Sequence, residues 1–329
     1  MHWIDDPSAG AWLRALLDDG YDTMHGVVPR GFPAYARVFH PASVRSLPDR
    51  AVPSWDEYDR MPQAEQQALS ERFVDGPASW ADAAAAFGTV MHPLAQWQSI
   101  VRTPTDGDWQ TRIAPDGREF SSPVEGEMDA TLLAPIAAHL AAHTSTPAEG
   151  VAAVWEGYGG LLGFFGETPS RAFLSFGGDA DEDPDAARHQ EMLQRSIHDP
   201  FNNGFRKPTW QPGILSDEVS NGPRLELPGR EYVLFSAASS AFTDPKWVLD
   251  APWRDRPGEA HGFAPTAQHP NILWPADQAW VLVSEIDFDS TIVAGSAELI
   301  AEICADPRLE ALPISAGADL TWTADEVNR

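Results

Sequence analysis

The run from Gln278 to Phe288 constrains the fold most, because its side chains sort by parity. Leu282, Ser284, Ile286 and Phe288 are largely apolar, whereas Val281, Val283, Glu285, Asp287 and Asp289 turn from apolar to acidic. Side chains alternate across a strand, so this pattern predicts a strand over 278–288 that leaves the core at its acidic end. Tyr35–Phe39, Val151–Glu156 and Glu231–Phe235 are further strand-like runs, and Pro228-Gly229-Arg230 reads as the turn of a hairpin begun by Arg224–Leu227. These runs are interspersed with helical segments in irregular order, without the steady alternation of a doubly wound fold. The reading is an α+β fold, a largely antiparallel sheet packed on helices in a single domain over residues 1–329.

Helix ends are written locally. Ser8 is positioned to cap a helix carrying Trp12, Leu13, Leu16 and Leu17 and closed by Gly20. Ser54 with Glu57 forms a capping box, and Ser79 with Asp82 starts an alanine-rich helix that Gly88 ends. Leu132, Leu133, Ile136 and Leu140 recur at helical spacing between Asp129 and His143. His139 and His143 lie four apart there, but position 140 is Leu where a zinc-protease motif has glutamate. Residues 177–222 open on an acidic run and close on turn formers, and they read as an insertion or lid.

Composition excludes several classes. The chain carries 22 Lys and Arg against 49 Asp and Glu, a formal net charge of -27, which sets a repulsive baseline toward nucleic acid and anionic lipid. Thirteen tryptophans and 43% hydrophobic residues argue for a folded globule. Cys304 is the single cysteine, which excludes an internal disulfide and a cysteine-rich metal site. The start of the chain lacks a signal-peptide pattern and no run reaches the length of a membrane span, so a soluble, cytoplasmic protein is expected.

Two segments carry the candidate chemistry. Trp155, Glu156 and Tyr158 sit beside three glycines at a strand end and are candidate ligand-binding residues, together with His269, Trp274 and Asp277. Glu285, Asp287 and Asp289 would stand roughly 6 to 7 Å apart on one strand face. They therefore need water, an arginine or a cation between them: a divalent ion held by oxygen ligands is the sharper reading and a solvated strand end the plainer one, which the abundance of exposed acidic residues favours. If Glu285, Asp287 and Asp289 form a functional site, they should share it with Trp155, Glu156 or Tyr158.

Several pieces together resemble a family of uncharacterised proteins from high-GC Gram-positive bacteria. They are GFPAYARVFHPA (Gly31–Ala42), HPLAQ (His92–Gln96), HTSTP with the following VWEGYG (His143–Gly159), LPGREYVLF (Leu227–Phe235) and HPNILWPADQAWVLVSEIDFDSTIVAGS (His269–Ser296). The resemblance brings no activity with it, but its spread over both halves implies one integrated domain. The first functional expectation is a soluble binding or interaction protein with an acidic, aromatic-lined site. Its partner would be a polar or cationic small molecule or a basic protein surface, with neither nucleic acid nor membrane. The alternative is a metal-dependent hydrolase in which the Glu285 group holds a divalent cation and Glu156 or His269 acts on water.

Overall fold

The computed structural model describes residues 1–20, 23–103, 108–167 and 207–328. Fifteen strands run through the described residues: β1 (His2–Ile4), β2 (Ala34–Phe39), β3 (Ala42–Ser46), β4 (Val74–Ala78), β5 (Thr111–Ile113), β6 (Glu119–Ser121), β7 (Gly150–Trp155), β8 (Phe164–Gly166), β9 (Thr209–Gln211), β10 (Leu225–Leu227), β11 (Arg230–Ser236), β12 (Ile272–Pro275), β13 (Val281–Val283), β14 (Ser290–Gly295) and β15 (Ala311–Ile314). Nine of them build one antiparallel sheet in the order β1-β11-β7-β12-β13-β14-β2-β15, with β10 also paired to β11. The fold is α+β, as the irregular order of elements implied.

Both faces of this sheet are buried, and the two-residue period divides its side chains between two cores. Ala152, Val154, Val233, Phe235, Leu273, Leu282 and Val293 face one way. They pack under the helices Ala130–Ala142 and Ala297–Ala305 and the short turns that carry Phe242 and Trp247. Ala153, Tyr232, Leu234, Ile272, Trp274, Ile292 and Ala294 face the other way, beneath Leu13, Leu17, Met24 and Val28 of the N-terminal segment. Trp247 and Trp253 belong to the first core, and the Trp253 indole N–H donates to the Gln268 carbonyl at 2.7 Å.

A four-stranded sheet, β4-β3-β6-β5, grows from the end of β2 and buries a third core around Trp80, Trp97, Phe87 and Phe120. Phe39 joins the sheets, its ring centroid 4.9 Å from that of Trp80. The Ser54 capping box forms in both directions, Ser79 caps the helix Trp80–Phe87, and Gly88 closes it with φ +66°. Asp129 caps the helix Ala130–Ala142.

Three expectations change. The N-terminal helical turn is capped by Asp6, not Ser8, since Pro7 takes the first position and the Asp6 carboxylate accepts from the Ser8 amide. The strand expected over 278–288 spans only Val281–Val283. Its last ladder bond is Ser284 N–H to the Asn271 carbonyl, after which Phe288 N–H to the Glu285 carbonyl closes a turn into β14. The acidic parity of 285, 287 and 289 thus belongs to a hairpin turn, where polar groups also recur. In the expected insertion 177–222, residues 177–206 lie outside the described residues. The part from 207 onward is tied in, because β9 pairs β8 and Leu215 and Val219 enter the first core.

Candidate binding site at one end of the sheet

Strand register brings the candidate residues together. Tyr232 lies opposite Trp155, and Ile272 lies opposite both Ala153 and Val283. The ends of β7 and β13 and the starts of β11, β12 and β14 therefore share one end of the sheet, with the end of β2 beside Ser290. Asn271 ties this end together: its Oδ1 accepts from the Trp155 amide at 2.8 Å, and its Nδ2 donates to Tyr158 Oη at 2.9 Å and to the Ser284 carbonyl at 3.2 Å. Trp155 and Tyr158 meet edge-on at 5.3 Å, and Arg230 stands 5.8 Å from the Trp155 ring centroid.

Arginines lie against all three carboxylates. Arg230 donates through Nε to Glu285 at 2.9 Å and through Nη2 to Asp287 at 2.6 Å. Glu285 also accepts from the Asp287 amide at 2.6 Å. Asp289 pairs with a different cation, the buried Arg37, at 3.1 Å. Burial pushes the Glu285 and Asp289 carboxyls above the ordinary range, opposed by Arg230 and the Asp287 amide for one and by Arg37 for the other. Among the described residues no three His, Cys, Asp or Glu side chains are grouped to hold a metal. Glu156 is paired too, with Arg224 Nε at 2.8 Å.

Trp274 and Asp277 lie elsewhere. Trp274 is buried in the second core, edge-on to Trp12 at 6.2 Å. Asp277 sits in the β12–β13 turn at the opposite end of the sheet and accepts from Thr144, Ser145 and the Ala279 amide. The His139 and His143 rings face carboxylates of the neighbouring helix: His139 Nε2 lies 2.8 Å from Asp306 and His143 Nε2 2.9 Å from Glu302. Cys304 is half-buried on that helix, and burial pushes its thiol up.

The acidic turn itself borders two small concavities: one of about 250 Å³ is lined by Arg230, Glu285 and Asp287, and the segment 123–128 separates the other from a larger cleft. Gly126 docks this segment: its amide donates to the Phe288 carbonyl at 2.9 Å, its φ is +69°, and a Cβ there would lie 2.2 Å from the Ile286 carbonyl oxygen. On one side is a recess of about 190 Å³ lined by Trp97, Trp109, Trp322, Glu125, Asp287 and Asp289, with Arg37 and Gln96 at its inner wall. Trp109 and Trp322 meet edge-on at 5.2 Å, and Trp322 is 51% exposed. Burial and the neighbouring Asp289 and Asp287 push the Glu125 carboxyl up. On the other side is a cleft of about 660 Å³ that holds Tyr158 and His269.

Of these groups, the sequence signals missed Arg37, Arg230, Asn271, Glu125 and the Trp109–Trp322 pair. The arginine of LPGREYVLF and the asparagine of HPNILWP stood inside noted segments; Glu125 and the tryptophan pair come from stretches with no strand or helix signal. Comparison with family models, with curated proteins and with solved structures gives no match to this chain.

Proposed function

We propose that the protein is a binding protein whose acidic, aromatic recess takes a cationic group, a guanidinium or small alkylammonium head, from a small molecule or a basic protein surface. The observation that carries this reading is Glu125. It faces Asp287 and Asp289 without a cationic partner among the described residues, beside the exposed ring of Trp322. Arg230, shared between Glu285 and Asp287, and Arg37, paired with Asp289, leave these four carboxylates with an excess of negative charge, and Glu125 is the one without an ion pair among the described residues. A cation in the recess would relieve that repulsion and lie against tryptophan faces, which attract cations through the ring quadrupole. The volume suits one head group, not a whole drug-sized molecule.

The test is a titration with tetramethylammonium chloride followed by tryptophan fluorescence, with neutral tert-butanol as the control of similar shape. Saturable change with the cation alone, weakened by Glu125→Gln and by Trp322→Ala, supports the reading. An equal response to the alcohol, or cation binding indifferent to both substitutions, removes it.

A further inference from the structure

The four-stranded sheet has one face on the third core and one face turned away from it. Val44 and Phe120 point inward, so the residues that alternate with them on β3 and β6, and their partners on β4 and β5, point outward. With the short helix Trp55–Asp59 this outward face bounds a groove of about 730 Å³, a volume in the range of small-ligand sites. The groove shares no lining residue with the acidic recess.

Strand register sets its floor in two rungs. Asp75, Arg45 and Glu119 are cross-strand partners in one, and Ser43, Ser121 and Thr111 in the other. The rungs lie two residues apart along the strands, roughly 6 to 7 Å. Arg45 stands between two carboxylates: it donates to Asp75 through Nε at 2.8 Å and Nη2 at 3.3 Å, and Glu119 lies 3.8 Å from Nη1. Its guanidinium carbon is 4.7 Å from the Phe73 ring centroid. These contacts orient the guanidinium, yet the Arg45 side chain is 43% exposed and that of Asp75 59%, so both are open to a ligand. In the second rung Ser43 is exposed, and the Thr111 and Ser121 hydroxyls are 3.3 Å apart.

An aromatic side chain stands beside this floor. Trp55 is 77% exposed but held in place. The Ser54 capping box sets the start of its helix, its ring stacks on Tyr58 at 6.0 Å with 25° between the planes, and Tyr58 abuts Phe73 at 6.4 Å. Tyr58 covers one side of the indole and leaves the rest to solvent.

Charge and hydrogen-bonding capacity together select the occupant. An anion approaching Arg45 meets Asp75 and Glu119, and a cation drawn by those carboxylates meets Arg45. The other charged residues in the lining, Asp108 and Arg112, are again one of each sign. Adjacent hydroxyls suit both partners at once: one donates to a carboxylate while its neighbour accepts from the guanidinium, and serine and threonine take either role. The C–H face of a sugar ring carries slight positive charge and matches the negative face of an indole. We propose that the groove binds a neutral sugar of one or two pyranose rings, stacked on Trp55 with adjacent hydroxyls on Arg45 and its flanking carboxylates.

Cellobiose tests this in the full chain, because its equatorial hydroxyls leave flat C–H faces; glycerol, with hydroxyls and no ring, is the control. In proton–nitrogen spectra, cellobiose added to tens of millimolar should shift the Trp55 indole N–H and Arg45 Nε–H signals saturably and leave those of Trp109 and Trp322 in place. Glycerol at the same concentration, and tetramethylammonium, should move neither. Trp55→Ala, read at Arg45, and Asp75→Asn, read at Trp55, should each weaken cellobiose several-fold. Glu125→Gln should leave it unchanged, so failure of this groove and failure of the recess are told apart. Should either groove variant fail to fold, the wild-type comparison of cellobiose with glycerol decides alone. Signals unmoved by cellobiose, an equal response to glycerol or tetramethylammonium, or binding indifferent to both substitutions would each overturn the proposal.

Discussion

Arg37, on β2 between β14 and the edge strand β15, donates to the Asp289 carboxylate at 3.1 Å from a side chain that is only 2% exposed. The same guanidinium donates to Ser290 Oγ at 2.8 Å and to the Ala95 and Pro93 carbonyls, and it lies 4.5 Å from the Phe39 ring centroid. One buried cation thereby joins the acidic turn, the large sheet and the loop before Trp97. Removing one partner of a buried pair leaves the other charge uncompensated. Arg37→Met should therefore cost about 3–5 kcal/mol, measured by urea unfolding. Asp289→Asn in that background should recover part of the loss, and a loss no larger than that of an exposed pair would contradict the assignment.

Gly126 and Gly88 share a positive φ but differ in surroundings. Nothing lies within 4 Å of a Cβ built at Gly88, whereas at Gly126 it meets the Ile286 backbone. Gly88→Ala should cost about 1 kcal/mol, the conformational term alone. Gly126→Ala adds displacement of the acidic turn, and about 2–4 kcal/mol is expected. Equal losses in thermal or urea unfolding would mean that the 123–128 segment is not docked on the turn.

Acid should weaken the fold in a window set by the buried histidines. Burial brings His269 from an ordinary 6.5 down to about 4, so the unfolded chain takes up a proton first as the pH falls. Stability is unaffected by this group above 6.5 and declines between 6.5 and about 4. The loss from His269 alone is on the order of 3 kcal/mol. His269→Gln keeps an acceptor for the Met128 amide but cannot titrate, and urea midpoints of this variant should depend less on pH across the same window. An unchanged slope would rule out a neutral, buried His269.

Asp277 acts at the opposite end of the sheet. Burial works to raise its carboxyl, yet the hydrogen bonds from Ser145 and Thr144 outweigh it and bring the pKa from 3.8 down to about 2. Its contribution is thus present above 3.8 and lost as the pH falls through about 2. Asp277→Ala should cost about 1 kcal/mol near neutrality, as loss of a capping carboxylate does, while sparing ligand binding at the far end. Probe titration and unfolding of the same variant separate the two effects.

The sequence by itself determined the parts governed by neighbours along the chain. The Ser54–Glu57 box, the Ser79 cap, the Gly88 stop, the apolar spacing of the helix Ala130–Ala142 and the cores of β2, β7 and β11 depend on capping geometry and on hydrophobic period, both local properties. The shared sheet end was anticipated because aromatics and acids fall at the ends of two strand-like runs. Only the tertiary structure decided what those acids do. Glu285 meets Arg230 across 55 residues and Asp289 meets Arg37 across 252, distances at which alternation gives no information about partners. The same applies to Trp274 and Asp277: strand direction and register, fixed by burial on both faces of the sheet, placed one in the second core and the other at the wrong end for the site.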